Sequence, residues 1–250
     1  MWVWFHRLGS SPYFYARAPI WGRWFAVVAA LLGAYGLVGG LYLAPPDYQQ
    51  GEGFRIIYVH VPSAWMSMFV YTSMAVAGAV ALIWRLKIAE VYVAAAAPIG
   101  ASFTALALLT GMLWGKPMWG VWWVWDARLT SELILLFLYL GIIALYSAIE
   151  DKRSAARAAS VLALVGVVNI PIIHYSVEWW HTLHQGPTVT KFDKPSMDSR
   201  MLWPLLSMAL AFMAYHGVVV LARMRVELMS RERYSRWVRE VLEGAAGEGK

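Results

Sequence analysis

The chain has 250 residues, of which 60% are hydrophobic and only 14% charged, a balance too apolar for an ordinary soluble domain. Its mean hydropathy is +0.53, and its 15 tryptophans exceed what a soluble core of this size usually holds. The lack of cysteine excludes disulfides, iron–sulfur clusters, zinc–thiolate sites and CxxC redox chemistry. Composition therefore indicates a membrane protein. Its formal charge of +6 has to be explained by where the basic residues lie relative to the membrane.

Six stretches of the chain are long enough to cross a bilayer, because the hydrocarbon core needs about 20 apolar residues of helix. They lie between Arg23 and Asp47, Arg55 and Arg85, Glu90 and Lys116, Arg128 and Glu150, Arg157 and Glu178, and Arg200 and Arg223. The fourth stretch is interrupted only by Glu132. Backbone amides in lipid must be satisfied within their own segment, so the pattern predicts an all-α membrane protein with six transmembrane helices.

The basic residues indicate the orientation of these spans. With the N-terminus inside, 15 of the 21 lysines and arginines fall on the cytoplasmic side and 6 outside. The positive-inside rule then predicts that both termini are cytoplasmic. Anionic lipid headgroups account for the basic excess, and no nucleic-acid partner is expected.

The segments around the spans predict a single membrane domain over residues 1–250. Residues 1–19 are expected to form an interfacial N-terminal segment without a cleavable signal, 20–223 the six-helix bundle, and 224–250 a basic cytoplasmic tail. The aromatic residues of the first segment are Trp2, Trp4, Phe5, Tyr13, Phe14 and Tyr15. Gly36 with Gly40, and Gly111 with Gly115, have the small-residue spacing that allows helices to pack closely.

The most informative stretch is WGKPMWGVWWVWDARLT, residues 114–130, predicted as an outer loop between the third and fourth spans and called here the tryptophan segment. Its five tryptophans are Trp114, Trp119, Trp122, Trp123 and Trp125. An aromatic belt explains one or two such rings at a membrane interface. Five rings with two glycines and a proline do not suit an ordinary amphipathic helix. Beside Lys116 and Arg128, they suit a large planar ligand with anionic edges.

Two histidines are predicted on the same side as the tryptophan segment. His60 opens the second span, and His184 closes the segment EWWHTLHQG before the sixth. A lone buried histidine is more often a hydrogen-bonded core residue than a ligand. Two neutral imidazoles from different helices are, however, what a hexacoordinate haem iron needs on its two faces.

The other histidines have more ordinary interpretations. His181 and His184 are three residues apart and on one helical face would supply half of a zinc site. His174 and Glu178 are four apart and would satisfy each other near the end of the fifth span. His216 lies in the inner half of the sixth span and is interpreted as structural.

The acidic residues near the tryptophan segment are also expected to be structural. Asp126 precedes the fourth span and is predicted to cap its N-terminus or to organise the loop. Glu132 lies four residues after Arg128, so an ion pair between them is the simplest account of its charge. The sequence has neither a P-loop nor a supported nucleophile–base pair, so we do not expect an enzyme.

The tryptophan segment carries a family resemblance. Its WGVWWVWD, residues 119–126, resembles the WWD signature of the haem-handling proteins of c-type cytochrome maturation, and ARLTSELILLFLYLG and the outer histidines fit it too. Length, six spans and two rather than four candidate histidines resemble the haem exporter protein C (CcmC) family more than its larger haem-lyase relatives. Further similar stretches are DYQQGEGFRIIYVHVPSAW, GKPMWG and NIPIIHYSVEWW.

The resemblance implies a haem chaperone of the bacterial inner membrane that binds haem b on the periplasmic side. His60 and His184 would be the axial ligands, and the tryptophan segment through Asp126 would hold the macrocycle. Arg55, Lys116 and Arg128 are our own candidates for pairing with the propionates. The implied partners are an ATP-binding subunit (CcmA), a second membrane subunit (CcmB), a small single-span subunit (CcmD) and a periplasmic haem chaperone (CcmE).

Two other functions fit parts of the pattern. A b-type membrane cytochrome would also use a bis-histidine haem, but within the bilayer, where only His216 is available. A permease subunit could use tryptophans to guide an aromatic or sugar-like substrate, but His60 and His184 would then have no role.

Overall fold

The computed structural model describes residues 9–248 apart from 185, 187, 190 and 192, and for 245–248 it describes the backbone alone. The described part is helical, with a single isolated bridge between Asp47 and Gly51 outside the helices. The helices are α1 (Ser11–Val38, extended by a π-helical turn Gly39–Leu43), a 3-10 turn (Glu52–Ile56), α2 (Ile57–Trp84), α3 (Lys87–Trp119), α4 (Ala127–Ala148), α5 (Lys152–Gly166), α6 (Asn169–Trp179), α7 (Ser199–Arg231) and α8 (Arg236–Glu248).

Six helical spans in the described chain are long and apolar enough to cross a membrane, which confirms the predicted number. The first is α1 with its π-helical turn, and the fifth consists of α5 and α6 together, with a break at residues 167 and 168. The remaining spans are single helices, the second preceded by the 3-10 turn. The chain is thus built as a multi-pass membrane bundle.

The helix ends differ from the predicted segment boundaries. Helix α1 begins at Ser11, so residues 11–19 of the predicted N-terminal segment are helical and continuous with the first span. Trp2, Trp4 and Phe5 lie outside the described residues. At the other end, α7 runs to Arg231, beyond the predicted limit of the bundle, and α8 follows it.

The bundle is organised around α2 and α3, which pack along each other. Helix α7 contacts both of them and also packs along α1. Helix α4 packs against α3 and contacts α5 and α6. Gly36 of α1 leaves room for Met208 of α7, and Gly40 leaves room for Tyr58 of α2, because a Cβ at either glycine would lie 2.5 Å from those side chains. The predicted close packing at these two glycines is therefore confirmed.

The tryptophan segment is not one loop. Helix α3 continues through Trp119, so Trp114 and Lys116 are helical, and Gly120 ends the helix with φ 79°. Glycine adopts this left-handed conformation at little cost, and its N–H is donated to the carbonyl of Lys116. The irregular part is restricted to residues 120–126.

The two ends of the bundle are distinct. The tryptophan segment, His60 and His184 lie at one end, called here the site end. At the opposite end Ser11 at the start of α1 donates a hydrogen bond to Glu232, just after α7. The first and last described helices therefore meet at the end away from the site.

Candidate functional site

A cavity of about 720 Å³ occupies the site end. Helices α2, α3, α4, α6 and α7 all contribute to its wall, together with the segment between the first two spans and the one between α6 and α7. The predicted site residues that line it together are His60, Trp114, Trp119, Arg128 and His184. The volume lies within the range of roughly 300–1,000 Å³ typical of sites for small molecules and cofactors.

His60 is fixed by the neighbouring face of α3. Its Nδ1 lies 3.0 Å from the carbonyl oxygen of Ala107 and 3.0 Å from Oγ1 of Thr110. A carbonyl only accepts, so Nδ1 carries the hydrogen and Nε2 keeps a free lone pair. Histidines that bind metals are commonly oriented by such a hydrogen bond from the other ring nitrogen.

Gly111 makes room for the same imidazole. A Cβ at this position would lie 3.1 Å from Cε1 of His60, tighter than most packed contacts. The close packing predicted from the glycine spacing is therefore, at Gly111, a contact with the ring of His60.

His184 is held by Asp126, at the start of α4, and by Thr182, two residues before it in the chain. Its Nδ1 lies 3.4 Å from Oγ1 of Thr182 and 3.5 Å from Oδ2 of Asp126, and Thr182 donates a hydrogen bond to the same carboxylate. Asp126 also accepts from the backbone N–H of Leu129, at 2.8 Å, which confirms its predicted capping role.

The charge of Asp126 is strongly favoured in this environment. Burial raises the pKa of this carboxyl, but the hydrogen bonds from His184, Thr182 and Leu129 outweigh it and lower the pKa to about 2. Asp126 is therefore a carboxylate at neutral pH, suited to orient an imidazole through Nδ1.

Each of the two histidines has a tryptophan beside it. The ring of Trp114 meets His60 edge-on with centroids 5.6 Å apart, and its Nε1 donates to Oε1 of Gln50 at 2.9 Å. The ring of Trp119 lies 5.3 Å from that of His184. The two helical tryptophans thus belong to the cavity itself.

The other three tryptophans do not line this cavity, although Trp122 and Trp123 line a smaller pocket beside it with Trp119 and His184. Trp122 is 51% exposed and Trp125 is 75% exposed, and the ring of Trp123 packs edge-on against Trp125. The tryptophan segment is therefore divided into Trp114 and Trp119, which line the cavity, and three tryptophans outside its lining.

Of the three basic residues predicted to pair with propionates, the structure brings one to the cavity. Arg128 lines it and donates to the carbonyl of Ile173 at 3.2 Å. Arg55 donates to the carbonyls of Gly40 and Ala44 at 2.7 and 3.0 Å and pairs with Glu52. Lys116 is exposed and donates to the carbonyl of Gly120.

Arg200 lines the cavity although the sequence did not single it out. It forms an ion pair with Asp198, 2.9 Å between Nη2 and Oδ2, in the first turn of α7. The sequence places Arg200 at the outer end of the sixth span, on the same side as His60 and His184. Nothing in the sequence shows that this helix end lies next to the two histidines.

The predicted pairing of Glu132 is wrong. The Oγ of Ser67 donates to Glu132 at 2.7 Å, and no ion pair joins Glu132 to Arg128, both of which the structure describes. Arg128 is directed instead to the carbonyl of Ile173, on α6. A sequence cannot show that α2 and α6 offer better partners than a residue one turn away.

Two expectations for the remaining histidines are also wrong. Helix α6 ends at Trp179, so His181 and His184 do not share a helical face, and the described residues hold no cluster of three metal-ligating side chains. The ring of His174 packs on Tyr175, with centroids 4.7 Å apart, and forms no hydrogen bond or ion pair with Glu178, which the structure also describes.

His216 is buried, as the structural interpretation predicts, with Nε2 3.3 Å from the hydroxyl of Tyr92.

Comparison with known proteins agrees with this architecture. Residues 4–239 match the family described as CcmC: Heme exporter protein C. Heme exporter protein C of Haemophilus influenzae is 51% identical over 239 residues, 96% of this chain and 97% of the relative. Its counterpart in Escherichia coli (strain K12) is 50% identical over 243 residues, 97% of this chain and 98% of the relative.

A more distant relative comes from a plant. A protein of Marchantia polymorpha named as a putative cytochrome c biosynthesis ccmC-like mitochondrial protein is 42% identical over 216 residues, 86% of this chain and 89% of the relative. These relatives are named for haem export and cytochrome c biosynthesis, which is a haem-handling role and not an enzymatic one. By nearly full-length similarity, the chain belongs to the Heme exporter protein C family.

Proposed function

We propose that the chain binds haem at the site end, on the periplasmic face of a bacterial inner membrane, and presents it for c-type cytochrome maturation. The observation that carries this proposal is the convergence of His60 and His184 on one cavity. Each histidine has its Nδ1 engaged by protein groups, which leaves Nε2 available for iron. The proposed ligand is haem b, held without covalent attachment.

The wall of the cavity suits the rest of such a ligand. Trp114 and Trp119 supply aromatic surface beside the two imidazoles. Arg128 and Arg200 add two guanidinium groups that could pair with propionate carboxylates. Arg55 and Lys116 are better explained as structural residues, because neither lines the cavity and both donate to backbone carbonyls.

The outer tryptophans suit the presentation of haem to a partner. Trp122 and Trp125 expose aromatic surface on the irregular segment that ends at Asp126, and Asp126 lies beside His184. Exposed aromatic residues are enriched where proteins dock on one another. We propose that this surface meets the periplasmic haem chaperone (CcmE) while the cavity holds the haem.

The assembly proposed for this chain is an ABC-type haem transport complex with CcmA, CcmB and CcmD. The chain has no P-loop, so ATP hydrolysis would belong to the ATP-binding subunit. Its own contribution is to bind and orient the haem, and any conformational coupling to ATP would have to favour one haem-binding state over another.

Haem ligation is tested by the visible absorption spectrum of the purified full-length protein. Wild type is expected to show a low-spin haem signal that weakens or becomes high-spin in both His60→Ala and His184→Ala. His181→Ala is the matched control, because it removes an imidazole from the same segment as His184 but not from the cavity lining. A wild type without haem, or unchanged spectra in both axial variants, would disprove the ligand assignment.

Presentation is tested by transfer of haem to the purified chaperone. A Trp122→Ala/Trp125→Ala double variant is expected to retain haem but to lose transfer, since both rings lie outside the cavity lining. A Trp24→Ala/Trp84→Ala double variant removes two exposed tryptophans from α1 and α2 and should transfer normally. Wild-type transfer by the first variant would rule out this docking surface.

A further inference from the structure

The cavity extends well beyond the proposed iron site. Besides His60, α2 contributes Trp65 and Met68 to its lining. Met68 lies eight residues from His60, or about 12 Å along a helix that rises about 1.5 Å per residue. The cavity thus runs from the site end into the membrane-spanning part of the bundle.

A third histidine lines the same cavity. His174 of α6 lines the cavity and is exposed, and it has no hydrogen-bond partner among the residues that the structure describes. It lies five residues before Trp179, about 7.5 Å inside the end of its span. An exposed ionisable side chain at membrane depth is costly and usually has a functional reason.

Two of the helices that line the cavity, α2 and α6, carry exposed residues beside it. Helix α6 packs against α4, and its His174 lines the cavity. On α2, Met68 lines the cavity and the next residue, Phe69, is exposed; on α6, Tyr175 next to His174 is exposed as well. Exposed aromatic side chains therefore lie next to cavity-lining residues on both helices.

We propose that the cavity has a side opening to the lipid between α2 and α6, and that His174 is a transient iron ligand for haem that enters through it. Haem would bind His174 first and then move along Met68 and Trp65 to the His60–His184 pair. The inference rests on the proposed function, because it assigns a route to the same haem site. An apolar macrocycle with one metal centre suits an opening that is aromatic and has one free imidazole.

The route is tested by the rate at which full-length protein without haem, reconstituted in lipid nanodiscs, takes up haem. Haemin is supplied either from phosphatidylcholine vesicles or bound to albumin in the water phase, and the haem absorption band is followed by stopped flow. His174→Gln removes the iron ligand and keeps a polar side chain. His174→Met restores a side chain that can bind haem iron, and His181→Gln is the matched control.

We expect His174→Gln to slow uptake from vesicles about tenfold, a barrier change of about 1.4 kcal/mol. Uptake from albumin and the final low-spin spectrum should equal those of wild type, because His60 and His184 remain. His174→Met should recover much of the lost rate, and His181→Gln should behave as wild type.

Three results would overturn the inference. These are an unchanged rate from vesicles in His174→Gln, an equal slowing from both haem sources, and a final spectrum altered like that of the axial variants. Wild type that takes up haem from neither source would instead disprove the proposed function itself. The two failures are therefore distinguishable in one series of measurements.

Discussion

At the scale of single residues, the position of His60 depends on one face of α3. Ala107, Thr110 and Gly111 follow each other at helical spacing, so one face supplies a carbonyl, a hydroxyl and an open space for the ring. The glycine is needed as much as the hydrogen bonds, because a side chain there would press on the imidazole.

This predicts that Gly111→Ala disturbs haem binding although no ligand is removed. The added methyl would lie 3.1 Å from Cε1 of His60, and overpacking of this kind costs about 1–3 kcal/mol. We expect haem affinity to fall by about tenfold or more and the low-spin fraction to decrease, as measured by haem titration. Gly22→Ala is the control, since a Cβ there meets nothing within 4 Å. Equal titrations for both variants would contradict the prediction.

Asp126 links helix capping to the second histidine. Asp126→Asn should preserve the cap of α4, because asparagine is as good an N-cap as aspartate. The variant loses the negative charge beside Nδ1 of His184, and loss of such an orienting group typically lowers metal affinity 10–100-fold. We therefore expect haem to bind about tenfold or more weakly and its reduction potential to rise, as measured by spectroscopic redox titration.

The control for this variant is Asp151→Asn. Asp151 caps α5 through the N–H of Ser154, at 2.8 Å, in the same way as Asp126 caps α4, but it lies away from the cavity lining. An effect of equal size in both variants would assign the Asp126 phenotype to helix stability alone.

The sequence predicted the residue types of the site better than their contacts. His60, His184, Trp114, Trp119 and Arg128 were all named from local patterns, and the structure brings them to one cavity. Arg55 lies outside the cavity lining because it donates to carbonyls at the end of the first span, which no local pattern shows. Arg200 and His174 were missed because their approach to the cavity depends on how α6 and α7 pack.

At the scale of elements, the length of the stretches without charged residues was enough to predict the six spans. Each span must cross the same thickness of hydrocarbon, so each needs about 20 apolar residues of helix. Element ends were harder to predict. Pro117 and two glycines suggested a loop after Trp114, yet α3 continues to Trp119 before Gly120 ends it. The fifth span is broken after Gly166, where a Cβ would lie 2.1 Å from the hydroxyl of Tyr71.

The terminal helix α8 is attached to the bundle at the end away from the site. Glu232 accepts hydrogen bonds from Ser11 of α1, Lys87 of α3 and Trp237 of α8, at 2.6, 2.9 and 2.6 Å. Burial raises the pKa of Glu232, but these hydrogen bonds and the charge of Lys87 lower it below its ordinary value. One carboxylate therefore joins three helix ends.

This arrangement predicts that α8 detaches in acid. Because the pKa of Glu232 is lowered in the folded state, its contribution to docking is complete above the ordinary value of 4.5 and is lost as pH falls through the lowered one. Glu232→Gln should show the same loosening at neutral pH, measured as faster amide hydrogen exchange over residues 236–248. Glu240→Gln, which removes only an exposed ion pair with Arg236, should leave exchange unchanged.

At the scale of the whole molecule, the proposed function requires the site end to be periplasmic. The structure places the first and last described helices together at the opposite end, through Ser11, Glu232 and Trp237. Six spans and this contact are consistent with the two termini sharing a side. Which side they share remains a prediction from the distribution of lysine and arginine.

The lack of cysteine makes this orientation directly testable, because any introduced cysteine is the only thiol in the chain. Tyr48 is 90% exposed and lines the cavity, whereas Glu150 is exposed between α4 and α5. In intact cells with a permeable outer membrane, a membrane-impermeant maleimide should label Tyr48→Cys. Glu150→Cys should react only after the inner membrane is opened. The reverse pattern would place the haem cavity in the cytoplasm, where a periplasmic chaperone could not receive haem from it.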